Sequence, residues 1–147
     1  MAKRIQRRRE RGWRMPEGAV YVGRPTKWGN PFQAYKCDCC GYWDVRDDND
    51  VSYLVNHAYV RQPHIRADRM TWTTRYEAVI KAVRLYADEA TCWLGGWQVT
   101  RPDLYAALPS LAGRDLACWC KLEDAEGRPV PCHADVLLAL ANGGEDS

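Results

Sequence analysis

Apolar and polar positions along this chain change period several times, and each change marks an element. Ala19 to Val22 is a short uninterrupted β-like run ending at Gly23. Leu116, Ala117 and Cys118 form a second such run, preceded by Gly113 and followed by charged residues. Tyr42 to Arg46 and Val51 to Val55 are two more β-rich runs, joined by an acidic turn at Asp47 to Asp50, which predicts a hairpin. The period then becomes helical. Thr74-Arg-Tyr-Glu77 has the form of a capping box, and Tyr76, Val79, Ile80, Val83, Ala87 and Ala90 fall on one stripe behind it. Trp93 to Trp97, with Gly95 and Gly96, predicts a turn, and Thr100 to Leu108 a short helix that Pro109 closes. Pro131 suits the first position of a last helix, in which Val136, Leu137, Leu140 and Ala141 recur at helical spacing until Asn142 and Gly143 stop it. The expected fold is α/β or α+β: a small compact sheet flanked by helices, with an inserted β-hairpin.

A chain of 147 residues is expected to form one domain. The boundaries read as a basic arm over 1–15, a domain over 16–142 carrying an insertion over 36–72, and a disordered tail over 143–147. Net charge is only +2, so the chain as a whole is no polycation. Its aromatics are unusual: seven Trp and eight Tyr against one Phe. Flat rings with a polar edge suit wet pockets and base stacking as well as a core. Seven cysteines would fit a secreted scaffold, but the charged start lacks a signal-peptide apolar region. An odd, clustered set of thiols fits metal binding or thiol chemistry in a reducing cytoplasm better than a disulfide framework. No apolar run approaches membrane-spanning length.

The densest chemistry lies in Leu116-Ala-Cys-Trp-Cys120 and Cys132-His-Ala-Asp-Val136. Strand alternation places Cys118 and Cys120 on one face, and a helix beginning near Pro131 places Cys132 and His133 in its first turn. Free N–H groups there favour thiolates and anions. Three readings remain open. Cys118, Cys120, Cys132 and His133 match the usual donors of zinc. Cys120 or Cys132 would alternatively serve as a reactive thiol, with His133 carrying the proton. The plainest reading makes Cys118 a small buried hydrophobe and His133 a first-turn polar residue.

Other chemistry is spread more thinly. Arg4, Arg7, Arg8, Arg9, Arg11 and Arg14 face a single acid, Glu10, and suit phosphate contacts with nucleic acid. In sequence they lie far from the cysteines. Arg24-Pro-Thr-Lys-Trp-Gly-Asn-Pro-Phe32 is a rigid loop after a strand, where Arg24 and Lys27 would hold a phosphate, Trp28 would staple the loop and Asn30 would orient a ligand. Cys37 and Cys40, followed by Gly41, have the shape of half a zinc knuckle, for which His57 is a candidate further ligand.

Arg9-x-x-Gly-Trp-Arg-Met-Pro16, Tyr21-Val-Gly-Arg-Pro-Thr-Lys-Trp-Gly-Asn-Pro-Phe32, and Gly113-Arg-Asp-Leu-Ala-Cys-Trp-Cys120 with Pro131-Cys-His-Ala-Asp-Val-Leu137 resemble domain-of-unknown-function family 4326. That resemblance implies a small protein of actinobacteria or their phages, and a shared site built from the Arg24–Phe32 loop and the Cys118–Asp135 segment. It implies no reaction. Two function classes stay open: an enzyme acting on a nucleotide, nucleoside or nucleic acid, and a zinc-stabilised module that binds nucleic acid or protein. The deaminase signature, the phosphate-binding loop of ATPases and the dinucleotide fingerprint are all missing.

Overall fold

The computed structural model describes residues 2–36, 43–48, 74–92 and 95–143. In chain order the elements are β1 (Arg4–Gln6), β2 (Val20–Tyr21), β3 (Gln33–Lys36), β4 (Trp43–Arg46), α1 (Arg75–Thr91), α2 (Gly96–Thr100), α3 (Pro102–Ala107), a single 3-10 turn (Leu108–Leu111), β5 (Leu116–Cys118) and α4 (His133–Ala141). The architecture is mixed α/β. A three-stranded sheet in the order β1-β5-β2 is wholly parallel, and β3 pairs with β4 in an antiparallel hairpin.

β5 is the centre of the larger sheet. Its register sets Leu116 opposite both Arg4 and Val20, and Cys118 opposite Gln6. All three of its residues are buried, as expected of a parallel strand covered on both faces, whose sequence is a continuous apolar run. β1 was not expected. Its residues belong to the basic stretch, and strand pairing draws that stretch onto the sheet: the Lys3 carbonyl accepts from Leu116 N–H, and Arg7 N–H donates to the Cys118 carbonyl.

α1 begins as expected. Thr74 accepts from Glu77 N–H at 3.1 Å, while the Glu77 carboxylate accepts from Thr74 N–H. Its buried stripe differs from the expected one and runs through Ala78, Ala82 and Tyr86. Alanine at two of these positions lets the hairpin approach closely, so that Val45 packs on Ala78 and Ala82. The larger Val79 and Val83 are left half-buried on the neighbouring face. Tyr86 joins the main core of Val22, Trp28, Trp97, Leu116 and Leu137.

Three further expectations need correcting. Trp93–Trp97 is not simply a turn, because Gly96 already opens α2 and Trp97 is buried within it. Gly96 has φ +50°, and a Cβ there would run into the Ala90 carbonyl, so only glycine lets α2 fold back on α1. The helix expected over Thr100–Leu108 is α3 alone, opened by Pro102 and continued by the 3-10 turn. The last helix starts two residues after Pro131. Cys132 is its N-cap, in extended conformation, because its sulfur accepts from Ala134 N–H at 3.5 Å. The expected Val51–Val55 strand lies outside the described residues; β4, the other half of that hairpin, pairs with β3. No helix among the described residues is long and apolar enough to cross a membrane.

Tyr86 makes the core testable. Its hydroxyl donates to the Trp28 carbonyl at 2.6 Å, and burial pushes its pKa far up, so it stays a donor at any ordinary pH. Tyr86→Phe should orphan that carbonyl and cost about 1–3 kcal/mol in urea unfolding, as a shifted midpoint at unchanged slope. A change below about 0.3 kcal/mol would show that the carbonyl finds another partner.

Candidate metal centre and its cavity

The cysteine site forms where β5 ends and α4 begins. Cys118 is the last residue of β5, Cys120 lies just beyond it, and Cys132 caps α4. The three Sγ atoms lie within 4.8 Å of one another, with Cys118 and Cys132 at 3.1 Å. Cys118 and Cys132 are buried, while Cys120 is exposed. Tetrahedral zinc with Zn–S bonds of about 2.3 Å needs S···S separations of roughly 3.8 Å, which small side-chain rotations would reach from here. The donor set therefore fits a thiophilic ion.

His133 sits beside this trio. Its Nε2 lies 2.8 Å from the Val22 carbonyl, an atom that can only accept, so Nε2 carries the proton. Nδ1 then presents a lone pair 3.4 Å from Cys132 Sγ. The ring meets Tyr86 edge-on, with centroids 5.3 Å apart. Of the four residues expected to share an ion, three converge, and His133 stands next to them rather than among them.

The three thiols ionise as a unit. Hydrogen bonds from Cys118 and then Cys132 hold the Cys120 thiol far below its ordinary range, with a further contribution from His133 and with burial opposing. The other two are driven up. Cys118 is pushed up to about 11, chiefly by its hydrogen bond to Cys120. Cys132 is raised further, chiefly by its hydrogen bond to Cys118 and then that to Cys120. The first proton therefore leaves the sulfur that solvent can reach.

Asp135 and Arg4 fix the two cysteine-bearing segments to each other. Asp135 Oδ2 accepts from Cys132 N–H at 3.0 Å, completing a capping box, and from Arg4 Nη1 at 2.9 Å. Arg4 Nη2 reaches the Lys121 carbonyl at 3.4 Å. Only 8 % of the Arg4 side chain is exposed.

A cavity of about 410 Å³ opens onto two of the three cysteines, Cys120 and Cys132. Cys120, Cys132 and His133 form one end. Val79, Ala82 and Val83 of α1 form one wall, Phe32 and Ala34 another, and Tyr21 and Trp119 a third. Arg24, Asn30, Gln33 and Arg75 supply its polar groups. The loop residues are mostly committed to the fold. Asn30 donates from Nδ2 to the Ala82 carbonyl at 3.1 Å, and its Oδ1 accepts from Phe32 N–H at 2.9 Å. Arg24 donates to the Asn30 carbonyl from Nε and Nη2, at 3.1 and 2.7 Å, and pairs with Asp48 at 3.2 Å. Trp28 is buried in the core, and Lys27 lies 5.4 Å over its ring, away from this cavity.

The basic stretch ends up beside the cysteines, contrary to its remoteness in sequence. Arg7 lies 4.6 Å from both the Tyr21 and Trp119 ring centroids, and its Nε is buried without a hydrogen bond. Arg9 stands 4.8 Å from Trp119, whose indole is 39 % exposed. Arg8, Arg9, Arg11 and Arg14 are exposed. Sequence reasoning missed Arg75, Trp119 and the Val79–Val83 wall as cavity residues. The valines were visible as a stripe, but the stripe read as core. Cys37, Cys40 and His57 lie outside the described residues.

Fold and site together define a small α/β protein with a thiolate cluster at the carboxyl edge of a parallel sheet. The chain belongs to the DUF4326 family, a domain of unknown function, whose model matches residues 5–143. No curated protein and no solved structure matches it.

The order of ionisation has a direct readout. In chelator-treated protein at about pH 6 an ordinary thiol, of pKa about 8.5, is almost wholly protonated. Cys120, its pKa depressed, keeps its thiolate as pH falls, so iodoacetamide followed by peptide mapping should label Cys120 well before Cys118 or Cys132. Equal labelling of the three would show that the cluster does not concentrate its charge on Cys120.

Proposed function

We propose that this protein is a zinc-thiolate protein that binds or acts on a nucleotide or related small molecule, with the metal held by Cys118, Cys120 and Cys132 at the end of the cavity. The observation that carries this reading is a cluster of three sulfur donors, one of them exposed, two of which (Cys120 and Cys132) line a cavity of ligand size. Soft thiolate donors select zinc among the available divalent ions. Three protein donors leave a tetrahedral ion one further position, which is the hallmark of a working rather than purely structural site. A bound ion would supply charge to polarise or ligate a group of the small molecule. The protein's own residues supply the rest: Arg4 and Asp135 hold Cys132 in place, and His133 Nδ1 offers a proton acceptor beside it.

Elemental mass spectrometry on tag-free protein tests the metal. Wild type should carry near one zinc per chain. Cys120→Ser, which alters an exposed residue, should lose it with the circular dichroism spectrum unchanged, while Cys37→Ser should keep it. Arg4→Met should bind zinc about 10–100-fold more weakly in chelator competition, the usual effect of removing a residue that orients a ligand. Zinc lost only in Cys37→Ser, or no thiophilic metal in any form, sinks the reading.

A second reading concerns the basic stretch. The exposed arginines 8, 9, 11 and 14 continue from a strand that delivers Arg9 to Trp119 at the cavity rim, which suits the backbone of a single-stranded nucleic acid. Deleting the stretch would also remove β1, so substitution is the cleaner test. Replacing the four arginines with glutamine should weaken oligonucleotide binding and flatten its salt dependence, the slope falling by up to about 0.7 for each phosphate no longer neutralised. Unchanged affinity and slope would leave the stretch a purely structural role.

A further inference from the structure

Arg24 and Lys27 are the cations that the loop sequence offers for an anion, and the packing employs both elsewhere. Arg24 spends its donors on the Asn30 carbonyl and Asp48, and Lys27 lies against Trp28 outside the cavity. A different cation lines the cavity. Arg75, the first residue of α1, is exposed, lies 5.8 Å from the Trp43 ring centroid and forms no ion pair among the described residues, and unlike Lys27 it lines the cavity. Its position is held independently of any ligand. Thr74 and Glu77 cap the helix on either side of it, and the Tyr76 hydroxyl donates to the Pro129 carbonyl at 3.0 Å. That last bond moors the start of α1 to the segment leading into Cys132, so Arg75 and the cysteines border the same cavity across a fixed gap.

The rest of the lining is one-sided in charge. Among the described residues the cavity contains two arginines and no carboxylate. Apart from the thiol and imidazole end and the amides of Asn30 and Gln33, its surface is mostly apolar or aromatic, with Phe32, Val79, Tyr21 and Trp119 among the lining residues. A neutral ligand would gain nothing from the Arg75 charge, and a cation away from the thiol end would meet only like charge. A phosphate or carboxylate would meet the planar fork of a guanidinium, which pairs with either in bidentate fashion.

From this juxtaposition we infer that Arg75 is the anion-holding residue of the cavity, and that its ligand is a small organic anion with a flat apolar body. The body lies between the α1 valines and the Tyr21–Trp119 wall, and the anionic group lies at Arg75. This rests on the cavity being the ligand site proposed above, but it does not require the ion. It names the charge of the ligand and the residue that selects it, and it moves phosphate recognition from the loop to the helix.

Calorimetric titration of the full chain tests the inference with matched charged and neutral probes. The pairs are adenosine monophosphate with adenosine, cytidine monophosphate with cytidine, and benzoate with benzamide; inorganic phosphate is a separate control. At least one anionic probe should bind about tenfold or more tightly than its neutral partner, the usual worth of a charge-assisted pair. Which pair shows the gap separates phosphate from carboxylate as the anion. Arg75→Gln, which leaves the Thr74–Glu77 cap intact, should close the gap while leaving the neutral partner's affinity unchanged. Lys27→Gln should leave the gap as it is. Equal affinities within every pair, a gap that survives in Arg75→Gln, or no anionic probe bound at about 1 mM would overturn the inference. Running the titrations with and without chelator separates the two proposals. A gap in metal-free protein upholds the role of Arg75 whatever the zinc content, and a zinc-loaded protein with no gap refutes that role while the metal stands.

Discussion

One carboxylate oxygen joins the parts of this site. Asp135 Oδ2 accepts the Cys132 N–H at 3.0 Å and an Arg4 N–H at 2.9 Å, so the first turn of α4 and the edge strand β1 share an acceptor. Arg4 in turn reaches the Lys121 carbonyl, next to Cys120. Besides this bridge, the Val130 N–H to Leu122 carbonyl bond at 2.9 Å and the contact between their own sulfurs tie the two cysteine segments together. Arg4 is largely excluded from water, where a paired guanidinium contributes more than at a free surface, and losing the half-exposed Asp135 would strand its charge. The same oxygen serves helix capping, sheet anchoring and thiol placement at once. A change at Arg4 or Asp135 thus reaches the cysteines without touching them.

Much of the scaffold was legible because it follows local rules. The Thr74–Glu77 capping box, the apolar run of β5 and the α4 stripe each satisfy a backbone requirement within a few residues. Membership of the DUF4326 family was equally legible from the loop and cysteine motifs. What failed did so for long-range reasons. β1 is a strand only because β5 offers its edge, and nothing in Arg4-Ile-Gln6 signals that a partner lies at Leu116. α1 turned its alanines to the hairpin because close approach there outweighs the larger apolar area of Val79 and Val83. Those valines then became a wall, which periodicity alone cannot tell from a core face.

The cysteine site shows the same division. Its membership was readable: Cys118, Cys120, Cys132 and His133 are adjacent candidates in the sequence itself. Its internal ranking was not. Whether His133 joins the sulfurs depends on the Val22 carbonyl, which takes its Nε2 proton and fixes which nitrogen faces Cys132. Which thiol ionises first depends on which one receives hydrogen bonds from the other two, Cys118 and Cys132 toward Cys120. Asn30 and Arg24 illustrate the converse. Residue types suited to a ligand were drawn into holding the loop, because a buried turn must satisfy its own backbone groups first.

Charge balance argues that the cluster and the arginines around it form one electrostatic unit. Gathering three sulfur donors at a sheet edge concentrates negative charge as they ionise, whether as a thiolate sharing protons or as ligands of an ion. Three thiolates on a divalent ion leave that unit with a net charge of about −1. Partly buried charge of this kind needs compensation close by. β1 brings Arg4 into the Asp135 bridge and places Arg7 against the Tyr21–Trp119 wall. Arg9 covers the outer indole. The basic stretch is thus delivered to the cysteine edge of the sheet, across 112 positions of sequence, by a three-residue parallel strand.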